Sequence, residues 1–386
     1  MIQRRWLMVG ALAGILVSGC STVSNTVDKL NPFSSSGAKM APLPTLSVEA
    51  GRTVWAASIG KAGSSLFSPA VVGEAVFAAD EKGSVYRLEA GRIVWKIDAG
   101  QSLSAGVGAD ARVVVVATAK GGVLAFDSES GKPLWQAQVS SEVLAPPAVG
   151  AGGVAVRSGD NRIFLFDIHT GARKWMYQRP MPALAVRTFG APVFADDYIF
   201  AGFPGGKLVA IAQSNGAPVW EGTVAQPKGA TELDRVADIV VSPVIDGTQI
   251  CAVAFQGRIA CFDMGQGGAM IWSKDISSAR GLVLDGRYLF VTDDKDVVYG
   301  LDRLTGGSLW KQDKLRLRGV SGPAVQGNVV AVGDAEGYVH FLSREEGAFV
   351  GRVKSDSSAI RVPLQQLRGT FLSQSAGGDI RSIEIQ

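Results

Sequence analysis

The residues of this chain that could do chemistry are few and poorly placed for it. It has two histidines, His169 and His340, and neither has a cysteine or second histidine at ligand spacing, so neither reads as a zinc ligand or an oriented general base. His169 sits in a Thr-Gly turn and reads as a solvated turn residue. Gly202-Phe-Pro-Gly-Gly-Lys207 has the outline of a phosphate loop, but Leu208 stands where a hydroxyl should hold magnesium. Asp293-Asp-Lys-Asp296 gathers three carboxylates without calcium-loop spacing, and a solvated turn is the expected reading. Cys251 and Cys261 flank Phe255-Gln-Gly-Arg258. A two-residue turn there would pair 251 with 262 and put Cys261 on the other face, whereas a three-residue loop would let the two sulfurs meet, so register decides the disulfide. No catalytic residue, metal site or cofactor is expected.

The elements that carry these residues are repeats of one unit. Trp55, Trp95, Trp135, Trp175, Trp220, Trp272 and Trp310 recur at intervals of 40, 40, 40, 45, 52 and 38 residues. Each closes a phrase such as Asp127-Ser-Glu-Ser-Gly131-Lys-Pro-Leu-Trp135 or Asp302-Arg-Leu-Thr-Gly306-Gly-Ser-Leu-Trp310. An Asp that bonds the backbone ahead of it, followed by a Gly that accepts positive φ, is a hairpin turn entering a strand. Apolar, β-branched runs such as Arg112–Ala119 and Gly122–Phe126 precede each phrase. Four short strands in roughly forty residues is the period of a β-propeller blade.

Degenerate phrases at Glu49–Trp55, Glu89–Trp95 and Ser343–Val350 bring the count to eight. After Val350 three strand-like runs remain without a closing phrase, and the missing strand is the one around Trp55. The fold class expected is therefore all-β: an eight-bladed β-propeller with four antiparallel strands per blade over residues 48–386, closed by pairing the N-terminal strand with the C-terminal strands. Closure removes an exposed edge. Forty-eight glycines fit so many hairpins.

The N-terminus is different in kind. Arg4 and Arg5 precede an apolar run from Leu7 to Val17, too short to span a bilayer, and then comes Val17-Ser-Gly-Cys20. This resembles the lipobox of bacterial lipoproteins. The resemblance implies cleavage before Cys20, acylation of that cysteine, and, with Ser21 rather than an acid following, an outer-membrane destination. Residues 21–47 contain Ser34-Ser-Ser-Gly37 and Pro42-Leu-Pro44 and read as a flexible tether of about 30 Å. Lys and Arg number 38 against 35 acids, or 36 without Arg4 and Arg5. A nearly neutral mature chain argues against nucleic acid and against electrostatic docking on anionic lipid. The membrane is reached through the lipid alone.

The repeated phrase resembles the tryptophan-docking repeat of the PQQ-like propellers, which implies that each outer-strand Trp packs on the neighbouring blade. Quinoprotein alcohol dehydrogenases carry this repeat, so a PQQ-dependent periplasmic oxidoreductase is the alternative function. That resemblance implies a quinone held under a disulfide of adjacent cysteines with calcium nearby, and this chain has no adjacent cysteines.

Lipobox, tether, propeller and two long insertions together resemble the BamB family, lipoproteins of the outer-membrane β-barrel assembly machinery. Trp175 to Pro192 spans 17 residues and Trp220 to Pro243 spans 23, against 12 from Trp135 to Pro147. Strand alternation places both insertions on one rim, opposite the Asp-to-Trp turns. The resemblance implies a non-enzymatic scaffold in which such loops contact the periplasmic domains of BamA, in company with the other subunits of the complex. Unfolded barrel chains are a further implied partner. Leu184, Val186 and Arg187 match an apolar-x-apolar-Arg pattern of the first loop, and Asp238 matches an acid of the second. A second acid of the family pattern is Val240 here, which puts paired negative charge in doubt.

Overall fold

The computed structural model describes residues 39–46 and 50–385. Cys20, the signal segment 1–20 and residues 21–38 of the tether lie outside the described residues. Eight four-stranded antiparallel sheets follow one another, the first running Ala70–Val72, Ala75–Ala79, Ser84–Glu89 and Arg92–Asp98. Seven sheets use consecutive strands. The eighth joins Gln365–Leu367, Thr370–Gln374 and Asp379–Glu384 to Arg52–Ser58, with Thr53 opposite Ile383 and Ser58 opposite Asp379. The expected closure is thus observed, and the first strands of successive blades approach one another around the axis.

Burial explains the sequence pattern. The second and third strands of a blade are covered by neighbours on both sides, so Val113–Ala117 and Val154–Arg157 are buried at every position. Outer strands face solvent, and in Arg173–Gln178 only Trp175 is buried. A register shift lies beside each docking Trp, for example between Ala125 and Phe126 opposite the Trp135 strand. Such bulges bend and twist the strand, turning the indole toward the next blade.

The two halves of the phrase meet across blades. Trp135 Nε1 donates to the Ile168 carbonyl of the following blade at 2.8 Å, Trp175 to Gln213 at 2.8 Å, Trp272 to Arg303 at 2.7 Å and Trp310 to Arg344 at 2.8 Å. Each indole lies on the glycine of the next phrase. A Cβ at Gly171 would stand 2.7 Å from Trp135, and one at Gly347 would stand 2.4 Å from Trp310. The same glycines adopt φ near +68°, so conformation and contact both exclude a side chain. Trp55 and Trp95 lie in the same way against Gly91 and Gly131. The acid caps the turn: Asp302 Oδ1 accepts from the amides of Leu304 and Thr305 at 3.1 and 3.0 Å. Trp220 also lies on the glycine of the next phrase, where a Cβ at Gly268 would stand 2.0 Å from its Nε1, but a short 3-10 turn, Met264–Gln266, lengthens that phrase, and Trp220 meets Phe262 edge-on.

Register settles the cysteines. Ala254 and Arg258 pair across a three-residue loop in which Gln256 has φ +51°, Cys251 faces Cys261 with Cα atoms 4.1 Å apart, and the two are bonded. Two other expectations are corrected. Residues 41–44, read as tether, lie against the ring: Ala41 N donates to Arg316 O at 3.0 Å, and Arg318 and Arg352 donate to Ala41 O and Pro44 O. Asp293 and Asp296 are not solvated. Asp293 caps its own hairpin, and buried Asp296 accepts from the amides of Gly319 and Val320 at 2.8 and 2.9 Å, because the adjacent blade-to-blade connection folds down onto the turn.

Candidate functional site

Two kinds of backbone share one face of the ring, the middle hairpin turn of each blade and the connection to the next blade. The short connection after the sixth blade is bonded to Asp296 of that blade's middle turn through the amides of Gly319 and Val320. The two long ones, 179–192 between the third and fourth blades and 224–243 between the fourth and fifth, rise as a rim and are tied to each other. Phe189 N donates to Val240 O at 3.0 Å, and Gly190 lies so close to Val241 that a Cβ would come within 2.5 Å of its carbonyl carbon.

Asp238 is the fastener. It is 1% exposed. One carboxylate oxygen accepts from Val186 N at 2.8 Å and the other from Gly205 N, in the middle turn of the fourth blade, at 2.9 Å, while its backbone pairs with Phe255 of the fifth blade. The expectation that Asp238, as the acid of the second loop, contacts a partner is corrected here, because the residue is buried and backbone amides hold both of its oxygens. Val240 is buried as well. The phosphate-loop outline at Gly202–Lys207 is the same middle turn, with Lys207 bonded to Thr223.

The other expected residues face outward. Leu184 is 41% and Val186 37% exposed, with Met181 and Phe189 exposed beside them on the same insertion. Arg187 extends into solvent with Glu142 Oε1 at 3.7 Å, a pairing that salt would screen. On the second insertion Leu233 is 70% exposed, at the tip of a turn capped by Thr231 and Asp234. Exposed apolar side chains with a charged neighbour are the composition of a protein-binding surface. Residue 169 is exposed on the opposite face, as its turn position predicts.

Sequence reasoning missed two buried polar features. Arg157, at the end of a buried strand, lies beneath the first insertion. His340 is enclosed with Asp334 and Arg318, its Nε2 2.9 Å from Asp334 Oδ2. Burial lowers the His340 pKa against the opposing pull of Asp334, so the ring is neutral near pH 7, with its proton assigned to Nε2 by that contact. A charge inside an apolar run was the available signal, and for Arg157 it was Val154-Ala-Val-Arg157. Among the described residues no group of three or more His, Cys, Asp or Glu is arranged to hold a metal.

The sequence profile described as "Outer membrane protein assembly factor BamB" matches residues 81–312 and 294–386, well over half the chain. The chain belongs to the BamB family. An outer membrane protein assembly factor BamB from Bordetella pertussis is 46% identical over 202 residues, 52% of each chain, so the chain spans about half the length of the curated relatives it matches. The crystal structure of BamB from Moraxella catarrhalis superposes with TM-score 0.80 and 28% identity, covering 87% of this chain and all of that one. A quinohemoprotein alcohol dehydrogenase from Comamonas testosteroni has TM-score 0.70 at 11% identity, covering 87% of this chain and 76% of that one. That likeness is one of fold. The BamB family relatives are named as assembly factors, and the tied insertions are the feature of this propeller for which a repeat array alone has no use.

Proposed function

We propose that this protein is a non-enzymatic scaffold lipoprotein of the outer-membrane β-barrel assembly complex. It hangs in the periplasm from an acylated Cys20 and binds the periplasmic domains of BamA through the rim of residues 179–192 and 224–243. Assistance to the folding and insertion of barrel proteins follows from holding that partner, and unfolded barrel chains are a second class of ligand. The observation that carries the reading is the joining of two insertions into one ridge that exposes Leu184, Val186 and Phe189 beside Arg187. A packed, desolvated apolar centre with charge at its edge is the usual energetic layout of an interface.

Leu184→Ala and Arg187→Ala should each weaken binding to the cognate BamA periplasmic domains by about 1 to 3 kcal/mol. Melting should hardly change, since both side chains lie outside the strand ladder. Wild-type affinity of Leu184→Ala would overturn the assignment of the rim. Cys20→Ala should release the protein from membranes that lack the partner, because the attachment rests on acyl chains.

The quinone-dependent oxidoreductase has less in its favour. The paired sulfurs that the resemblance requires are absent, since Cys251 and Cys261 are ten residues apart and join two strands of the fifth blade. Absorbance of the purified protein after incubation with quinone and calcium would detect that activity if present.

A further inference from the structure

Beneath the first insertion lies a cavity of about 240 Å³, bounded by Glu142 and Leu144, by Arg157 and Asn161 of the third blade's middle hairpin, and by Met181 and Ala185 to Thr188 of the insertion. Two of its polar groups lack what they need. Arg157 is 3% exposed, yet among the described residues no carboxylate comes within 4 Å of it. Its Nη2 reaches Asn161 Oδ1 at 3.1 Å, its plane lies 5.0 Å from the centre of the Phe203 ring, and its Nε has no partner. Thr188 Oγ1, which also lines the cavity, is likewise buried and unbonded. A buried guanidinium is normally paired, since removing a full charge from water without compensation is costly. Burial is severe enough here to push its pKa down to about 9. The carboxylate nearest in the wall, Glu142, is turned to Arg187 at the rim, while its own carbonyl is held by Gly159 N at 2.7 Å.

From the proposed role of the rim, we infer that this cavity is the receptor for a single carboxylate side chain of the docked partner. Arg157 would be its charge partner and Thr188 a hydroxyl donor to it. The occupant is an Asp or Glu set among apolar residues, because the exposed Met181 and Val186 line the cavity and Leu184 is exposed on the same insertion. Such a group satisfies Arg157 only when the apolar ridge is covered. The buried charge thus ties orientation to docking, as pairing at a desolvated site does. Glu142 opposes entry through like charge, and Arg187 draws it aside.

The test separates the site from the rim. In the full protein, the Nε–H resonance of Arg157, identified by its loss in Arg157→Met, should shift saturably as acetate is added at constant ionic strength, and Thr188→Val should weaken that response. Binding of the cognate BamA periplasmic domains should weaken about tenfold or more in Arg157→Met. It should weaken less in Thr188→Val and tighten about threefold in Glu142→Gln. Met keeps the stem packed while removing the charge, and should Arg157→Met fail to fold, the two milder variants still carry the test. No acetate response overturns the site. An acetate response with partner binding unchanged in all three variants, while Leu184→Ala still weakens it, overturns the partner carboxylate and leaves the rim reading intact. If Leu184→Ala also binds like wild type, the rim reading fails and takes this inference with it.

Discussion

Replacing Asp238 separates a residue that builds the rim from one that meets the partner. In Asp238→Ala the amides of Val186 and Gly205 lose their acceptors at 2.8 and 2.9 Å in a place that is 1% exposed. Hydrogen bonds to a charged group contribute about 1.5 to 3 kcal/mol each. Local relaxation and entering water recover part of this, so a loss of about 3 to 5 kcal/mol is expected. A ring of this size has an unfolding entropy of about 0.7 kcal/mol/K, which makes the expected fall in melting temperature about 4 to 7 °C. Because the fastener joins a loop to a hairpin, hydrogen exchange at Val186 and Gly205 should speed up well before the blade cores open. Binding to the BamA periplasmic domains should also weaken, through a loosened Leu184 and Val186. Calorimetry, exchange and binding are measured on the same preparation. Unchanged melting and unchanged exchange at the two amides, with binding lost, would mean that Asp238 meets the partner directly, and the reasoning from its burial would be refuted.

Three further outcomes follow from the ring itself. Gly347→Ala forces a Cβ to 2.4 Å from Trp310 at φ +68° and should cost about 1 to 3 kcal/mol; denaturant midpoints equal to wild type would show that indole docking is not needed at that junction. Deleting residues 50–58 exposes the edge of Asp379–Glu384, so melting should fall and light scattering should rise. A peptide of Arg52–Ser58 added in trans should reverse both, and an unaltered melting curve would sink the closure. The third concerns acid. The Ser130 hydroxyl at Asp127, the Thr170 amide at Asp167 and the Thr305 hydroxyl at Asp302 hold these carboxyls below their ordinary range. Their folded pKa values are depressed, so their stabilisation is present above the unfolded value of about 3.9 and is lost as pH falls through the folded values. The triple Asp→Asn variant should therefore show a flatter acid limb in stability against pH than wild type, and identical limbs would contradict the capping role.

The sequence by itself determined the repeat, the blade count and the closure, because each is a matter of spacing along the chain. A phrase whose Asp, Gly and Trp must each satisfy a local demand repeats wherever the demand repeats, and the strand left over at Trp55 has one place to go. It also located the two insertions and, through strand alternation, their common face. Tertiary structure decided what sits beneath them. Nothing local tells Asp238 from Arg187, both charged and both in long loops, yet one is enclosed by amides arriving from residues 52 and 33 positions away and the other is left in water. The disulfide turned on one residue of hairpin register. Asp293 and Asp296 looked solvated because the connection that covers them comes from the far end of their own blade. Arg157 became visible as a site only when a loop from the following blade connection closed over it, since burial depends on what the rest of the chain brings to a residue.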